Sequence, residues 1–310
     1  MKKHQRADFG KIRNYPISER ANKVSVKDFC GVEKYRDSGL VSDLFPKNLK
    51  ADELQEIVKH LRNARSGGKG VIFALGAHVI KAGCSPIIID WITNGLITGL
   101  ALNGAGAIHD LEIALIGETS EDVETEVKTG RFGMVKETAE HTMAALREYP
   151  EAGFGQALGQ WIIDQKMPHE HHSLLAAAAK KEIPATVHAA IGAEIIHAHP
   201  HSDGAIIGQK SFEDFKIFTA SLKTLFGGGC YFNVGSAVIL PEVFIKALSA
   251  ARNLGDDVSG FMTVDFDMIR HYRPSVNVVH RPTRDGGKGF SITGHHEILL
   301  PLLYHLLEEG

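Results

Sequence analysis

The sequence predicts an α/β fold, a Rossmann-like, doubly wound and mostly parallel sheet with helices on both faces. Three observations carry that reading. Short, continuously apolar runs such as GVIFALG (70–76) end in glycine, as strands buried on both faces do. Apolar or amphipathic helical stretches alternate with them, and this rhythm implies parallel strands joined by right-handed crossovers. A chain of 310 residues that is 44% hydrophobic and 23% charged has ample material for one core. The expected division is an arm over 1–50 and a single α/β, NAD-binding-like domain over 51–310.

Taken in order, residues 1–50 are polar and punctuated by Pro16, Gly31, Gly39 and Pro46, which reads as an arm with little regular structure. Residues 51–66 place Leu54, Ile57, Val58 and Leu61 on one stripe and stop at Gly67-Gly68, an amphipathic helix. A strand over 70–76, a helix over 85–95, a strand with a glycine-rich exit over 96–106 and a helix from 110 follow. Residues 119–182 read as largely helical and 185–192 as a strand. A long amphipathic helix runs through Phe212 to Leu225. FMTVDFD (261–267) and VNVVHRP (276–282) supply two further strands, and HHEILLPLLYHLLEE (295–309) closes the chain as an apolar helix.

A formal net charge of −3, with no cluster of Lys and Arg beyond the first 24 residues, argues against nucleic acid or anionic lipid as a partner. The basic N-terminus lacks the apolar core of a leader, and no apolar run reaches membrane-spanning length. Cys30, Cys84 and Cys230 are widely spaced with no CxxC pair, which fits a reducing, cytoplasmic compartment. Seventeen histidines keep metal chemistry in view.

The chemistry-bearing signal is glycine at strand ends. Gly76-Ala77-His78, Asn103-Gly104-Ala105-Gly106 and Gly227-Gly228-Gly229 each read as the small-residue exit of an apolar strand. On one edge of a parallel sheet, three such exits build an extended cleft whose backbone N–H groups approach a phosphate. Tight turns alone would also need glycine there. None matches GxGxxG followed by an acidic residue, so an ordinary Rossmann dehydrogenase is disfavoured.

His197, His199 and His201 alternate in IIHAHPHSDG, a pattern that can present imidazoles to a metal, with Asp203 as a further ligand. Pro200 interrupts the run. Asp203 beside Gly204 reads either as a turn residue or as a carboxylate that bonds a ribose hydroxyl or a ligand amine. Lys288 in DGGKGF is a solvated loop lysine, a phosphate contact or, if its amine is neutral, an imine-forming nucleophile.

The order of these clusters resembles deoxyhypusine synthase. GAHVIKAGCSPIIIDWI resembles that family's first glycine/Ser/Asn turn and helix, and LNGAGAIHDLEIAL its TAGGVEEDLI segment. SDGAIIG is similar to its TDGS turn, LFGGGCYFNVGSAVI to its LGGGVVKHHIANA stretch, and RPTRDGGKGFSITGHHEILLPLL to its closing RP, Gly-Lys and FPLL elements. The resemblance spans about residues 70–305. It implies a homotetramer that binds NAD and transfers an aminobutyl group through a lysine imine to a protein lysine. It further implies NAD contacts from the three glycine clusters, Asp203, Gly204, Ser236 and His295, with Lys288 as nucleophile. Ile108-His109 stands where the family has paired glutamates, and Asn233 where it has a catalytic histidine. The family's acidic polyamine-binding stretch has no counterpart here, and a polycation needs carboxylates to replace its water. The expectation is therefore an NAD-dependent transferase or amine oxidase acting on an amine other than spermidine, with His109 as base. Whether a protein is modified stays open. The alternatives are a metallohydrolase on the same scaffold, with ligands drawn from His78, His109, His197, His199 and His201, and a non-catalytic dinucleotide-binding protein.

Overall fold

In the computed structural model, which describes residues 8–28 and 49–309, six parallel strands form one sheet in the order β5-β3-β2-β6-β7-β8. These are β2 (Val71–Leu75), β3 (Gly99–Asn103), β5 (Ala185–His188), β6 (Cys230–Val234), β7 (Met262–Asp267) and β8 (Lys288–Thr293). The first of them lies at the centre. The chain winds outward to β3 and β5, then returns to the other side of β2 for β6, β7 and β8. That reversal is the doubly wound order, and it opens a crevice beyond the carboxyl ends of β2 and β6.

Side chains alternate along each strand, so each face receives its own core. Val71, Phe73, Leu75, Phe232 and Val264 pack against the helices Leu49–Ser66, Ser85–Thr93 and His296–Glu308. Phe73 and Phe232 stack at 4.4 Å between centroids. Ile72, Ala74, Ala101 and Tyr231 face the helices Gly204–Ser221 and Ile239–Asn253, where Tyr231 stacks on Phe244 at 3.7 Å. Each fully buried aromatic contributes about 1.5–3 kcal/mol relative to exposure.

Several expectations shift. The segment 276–282 is not a strand: Ser275–His280 forms a π-helical turn against β7 and β8. The last strand is instead Lys288–Thr293, whose flanking glycines read as loop. Polar Glu118–Glu121 forms β4, inside a stretch expected to be helical. It pairs antiparallel with β1 (Asn22–Ser25), so part of the arm is a strand bound to the domain. Arm positions 29–48, Cys30 among them, lie outside the described residues. Among the described residues no helix is long and apolar enough to cross a membrane.

Candidate active site

The carboxyl edge of the sheet gathers most of the singled-out residues. Gly76, Ala77 and His78 follow β2, and Asn103 to Gly106 connect β3 to the helix Gly104–Ile116. Asn103 caps that helix by accepting from the Gly106 N–H at 2.8 Å. Ser236 follows β6, and exposed His295 follows β8.

Two expected members lie at the opposite edge. Gly227, Gly228 and Gly229 precede β6 and pack beside Gly70, whose carbonyl accepts from Cys230 N at 2.9 Å. They make the turn into the strand and contribute nothing to the cleft. Lys288 opens β8 at the same amino edge, about 16 Å along the strand from the carboxyl end. Its side chain is 60% exposed, and its ammonium pairs with Glu56. A nucleophile in the cleft is thus not supplied by Lys288. Beside Gly104 and Gly106, the carboxyl edge carries Gly76, Gly235 and Gly294, whose N–H groups donate to the Val234, Phe266 and Asp267 carbonyls.

Gly235 has φ 69°, and a Cβ there would lie 2.6 Å from His296 Nε2. Glycine is required on both counts. His296 is fully buried, and neither ring nitrogen has a hydrogen-bond partner among the described residues. Burial holds its pKa below the usual histidine value, and His78 lies 5.6 Å away, ring to ring. Beside them, buried Asn233 donates to Asp265 Oδ1 at 2.8 Å and to the Ser236 carbonyl at 3.0 Å. Burial raises the Asp265 carboxyl to about 6. Asn233 thus braces the β6 turn from within.

A cavity of about 260 Å³ lies at the start of the helix Gly104–Ile116, which follows β3, and is lined by Lys81, His109, Glu112, Glu121, Glu194 and Arg20 among others. Its floor is a buried polar chain. Arg20 makes a two-pronged ion pair with Glu112 at 2.9 and 2.8 Å. Glu112 also accepts from the hydroxyls of Thr138, at 2.8 Å, and Thr119. Thr119 has one proton, and it goes to Glu112. The Thr119 oxygen therefore accepts from His109 Nδ1–H at 2.6 Å. This fixes the neutral tautomer, leaving the lone pair on Nε2. Burial depresses the His109 pKa to about 4, against the pull of Glu112. The cavity thus holds an imidazole that is neutral at neutral pH, with Nε2 unprotonated.

Asp203 caps the helix Gly204–Ser221, its Oδ1 accepting from Ala205 N and Ile206 N at 2.9 and 3.2 Å. Helix capping accounts for these bonds of Asp203. His197, His199 and His201 do not form a ligand set. His199 Nδ1 accepts from His201 N at 3.1 Å, and His197 Nδ1 faces the Glu194 carbonyl at 3.0 Å. Among the described residues no group of three or more His, Cys, Asp or Glu side chains could hold a metal.

Arg20, Lys81, Glu112, Thr119, Glu121 and Glu194 were not singled out from the sequence. Glu112 sits three residues after His109 on one helical face, the only local hint. Arg20 and Thr119 meet it through the β1–β4 pairing, which sequence spacing does not reveal.

No protein-family model and no curated protein matches the sequence. Solved structures share the fold. A protein described as a conserved LOR/SDH protein from Methanococcus maripaludis has a TM-score of 0.52 and 17% identity, covering 88% of this chain and 74% of that one. AgrE, solved in a ternary complex with ornithine and NAD+, gives a TM-score of 0.52 and 13% identity, over 91% of this chain and 34% of AgrE. A protein described as a deoxyhypusine synthase from Entamoeba histolytica gives a TM-score of 0.51 and 9% identity, over 94% and 95%. Identities this low show a common fold, Rossmann-like and α/β.

Proposed function

We propose that this chain is an NAD-dependent enzyme that oxidises a small primary amine in the His109 cavity. The observation that carries the reading is the Arg20–Glu112–Thr119–His109 chain, which ends in a neutral imidazole with a free Nε2 lone pair at the carboxyl edge of a doubly wound sheet. Arg20 and Glu112 cancel each other's charge and fix Thr119. Thr119 fixes the ring. His109 then presents an unprotonated Nε2 that accepts a hydrogen bond from the amine nitrogen and orients it for hydride loss from the adjacent carbon once the ammonium proton has left to solvent.

Two features fit a dinucleotide in the crevice. His296 brings two unpartnered ring nitrogens to the β6 turn, and the helix Gly104–Ile116 points its N-terminus at the same edge. Gly76, Ala77, Asn103, Gly235 and Ser236 would line such a ligand. Bound NAD+ would supply the hydride acceptor, and with water the balance is alkylammonium ion, NAD+ and water to carbonyl compound, ammonium ion, NADH and a proton. Group transfer through an imine on Lys288 is set aside because that lysine faces solvent at the amino edge. The resemblance to deoxyhypusine synthase and the NAD+ bound by AgrE support the cofactor.

The test is to denature purified protein, identify the small molecules released and measure metal on the same sample. NAD without stoichiometric metal is expected. Stoichiometric zinc or iron without NAD would overturn the reading.

A further inference from the structure

The cavity carries one charge that the amine reading does not use. Arg20 is neutralised by Glu112, but Lys81, half-buried on the cavity wall, has no hydrogen bond or ion pair among the described residues. Its field is one of the influences that keep His109 neutral, so the ammonium lies near the reacting centre. Opposite in sign are Glu121 and Glu194. Glu121 is occupied by the Tyr15 hydroxyl at 3.2 Å and Gly133 N at 2.9 Å. Glu194 accepts from Ala190 N through Oε1 at 3.0 Å, and its Oε2 has no donor among the described residues. Its carboxyl rests over Gly104, where a Cβ would come within 2.3 Å, so glycine is needed to seat it. Burial raises the Glu194 pKa, a cost that an incoming cation offsets.

We infer that the ligand carries a carboxylate as well as an amine: a small amino acid, its ammonium on Glu194 and its carboxylate on Lys81. This rests on the cavity being the amine site. A singly charged amine would leave Lys81 partly desolvated and unpaired, whereas a zwitterion satisfies both walls with charge-assisted bonds. The volume of about 260 Å³ falls just below the roughly 300 Å³ at which drug-sized pockets begin, which suits a metabolite of this size.

The experiment is calorimetric titration of the full chain, with NAD+ present, using 5-aminopentanoate, L-norvaline, 1-aminopentane and pentanoate. At least one of the two amino acids is expected to bind about 10-fold or more tightly than either singly charged probe. Lys81→Met should erase that margin while leaving amine binding in place, and Glu194→Gln should weaken every amine. NAD+ titrated alone into wild type and Lys81→Met should give equal affinities, so a failed cofactor reading shows up separately. Equal binding of 1-aminopentane and both amino acids, no binding of any probe, or an unchanged margin in Lys81→Met would overturn the inference. So would borohydride trapping of an adduct on Lys81.

Discussion

His109 is the residue on which the proposed chemistry turns. With its pKa depressed by burial to about 4, it stays neutral until well below the usual histidine range. A folded-state value below the unfolded one means stability that is present above about pH 6.5 and lost as pH falls through 4. NMR titration of its ring is expected to show protonation near pH 4, and His109→Gln should lose less stability than wild type between pH 7 and 4. Thr119→Val removes the acceptor for Nδ1–H. The ¹⁵N shifts of the ring should then report mixed tautomers in place of a single Nδ1–H form, and turnover should fall by roughly 10-fold, as when a partner that orients a histidine is removed. Arg20→Ala leaves Glu112 charged and buried without its partner. Urea denaturation should show a loss of about 3–5 kcal/mol, the cost of breaking a buried pair from one side. Lys288→Ala removes only an exposed pair with Glu56, and stability should change by about 1 kcal/mol or less.

At the scale of elements, the sequence shows its strands best where burial makes them continuous. GVIFALG stands out because parallel strands covered on both faces favour unbroken apolar runs, and FMTVDFD because Met262, Val264 and Phe266 alternate with Thr263, Asp265 and Asp267. VNVVHRP misleads for the same reason: its β-branched residues fit a strand, yet the backbone closes a π-helical turn that packs on β7 and β8. GKGFSIT conceals β8 behind glycines. The glycine clusters were legible as turns but not as to which end of a strand they serve. The triple glycine leads into β6, and Gly235, a single residue beyond β6, holds the cleft position instead. Gly235→Ala should prove the point, since it meets both a left-handed φ and the His296 ring. It should weaken NAD+ binding beyond its cost in stability. Gly229→Ala, which collides with Leu225 at the amino edge, should lower thermal stability and leave the NAD+ affinity of the folded fraction unchanged.

The whole molecule divides its labour between the two edges of one sheet. The amino edge closes tight turns and an exposed ion pair. The carboxyl edge carries the helix starts, His296 with no hydrogen-bond partner among the described residues, and the cavity floored by the Arg20–Glu112–Thr119–His109 chain. Assembly belongs to the same proposal: Ile269, Tyr272 and Ile298 stay exposed beyond the carboxyl ends of β7 and β8, next to the crevice. Light scattering on the purified chain is expected to give a tetramer, the state that the resemblance implies. The claim on which everything else depends is that NAD+ binds at the carboxyl edge, and hydrogen–deuterium exchange with and without NAD+ tests it most directly. Protection is expected at 76–82, 103–109, 234–237 and 294–297, with none at 226–229 or 285–288. Protection confined to the triple glycine and Lys288, or none anywhere at saturating NAD+, would contradict it.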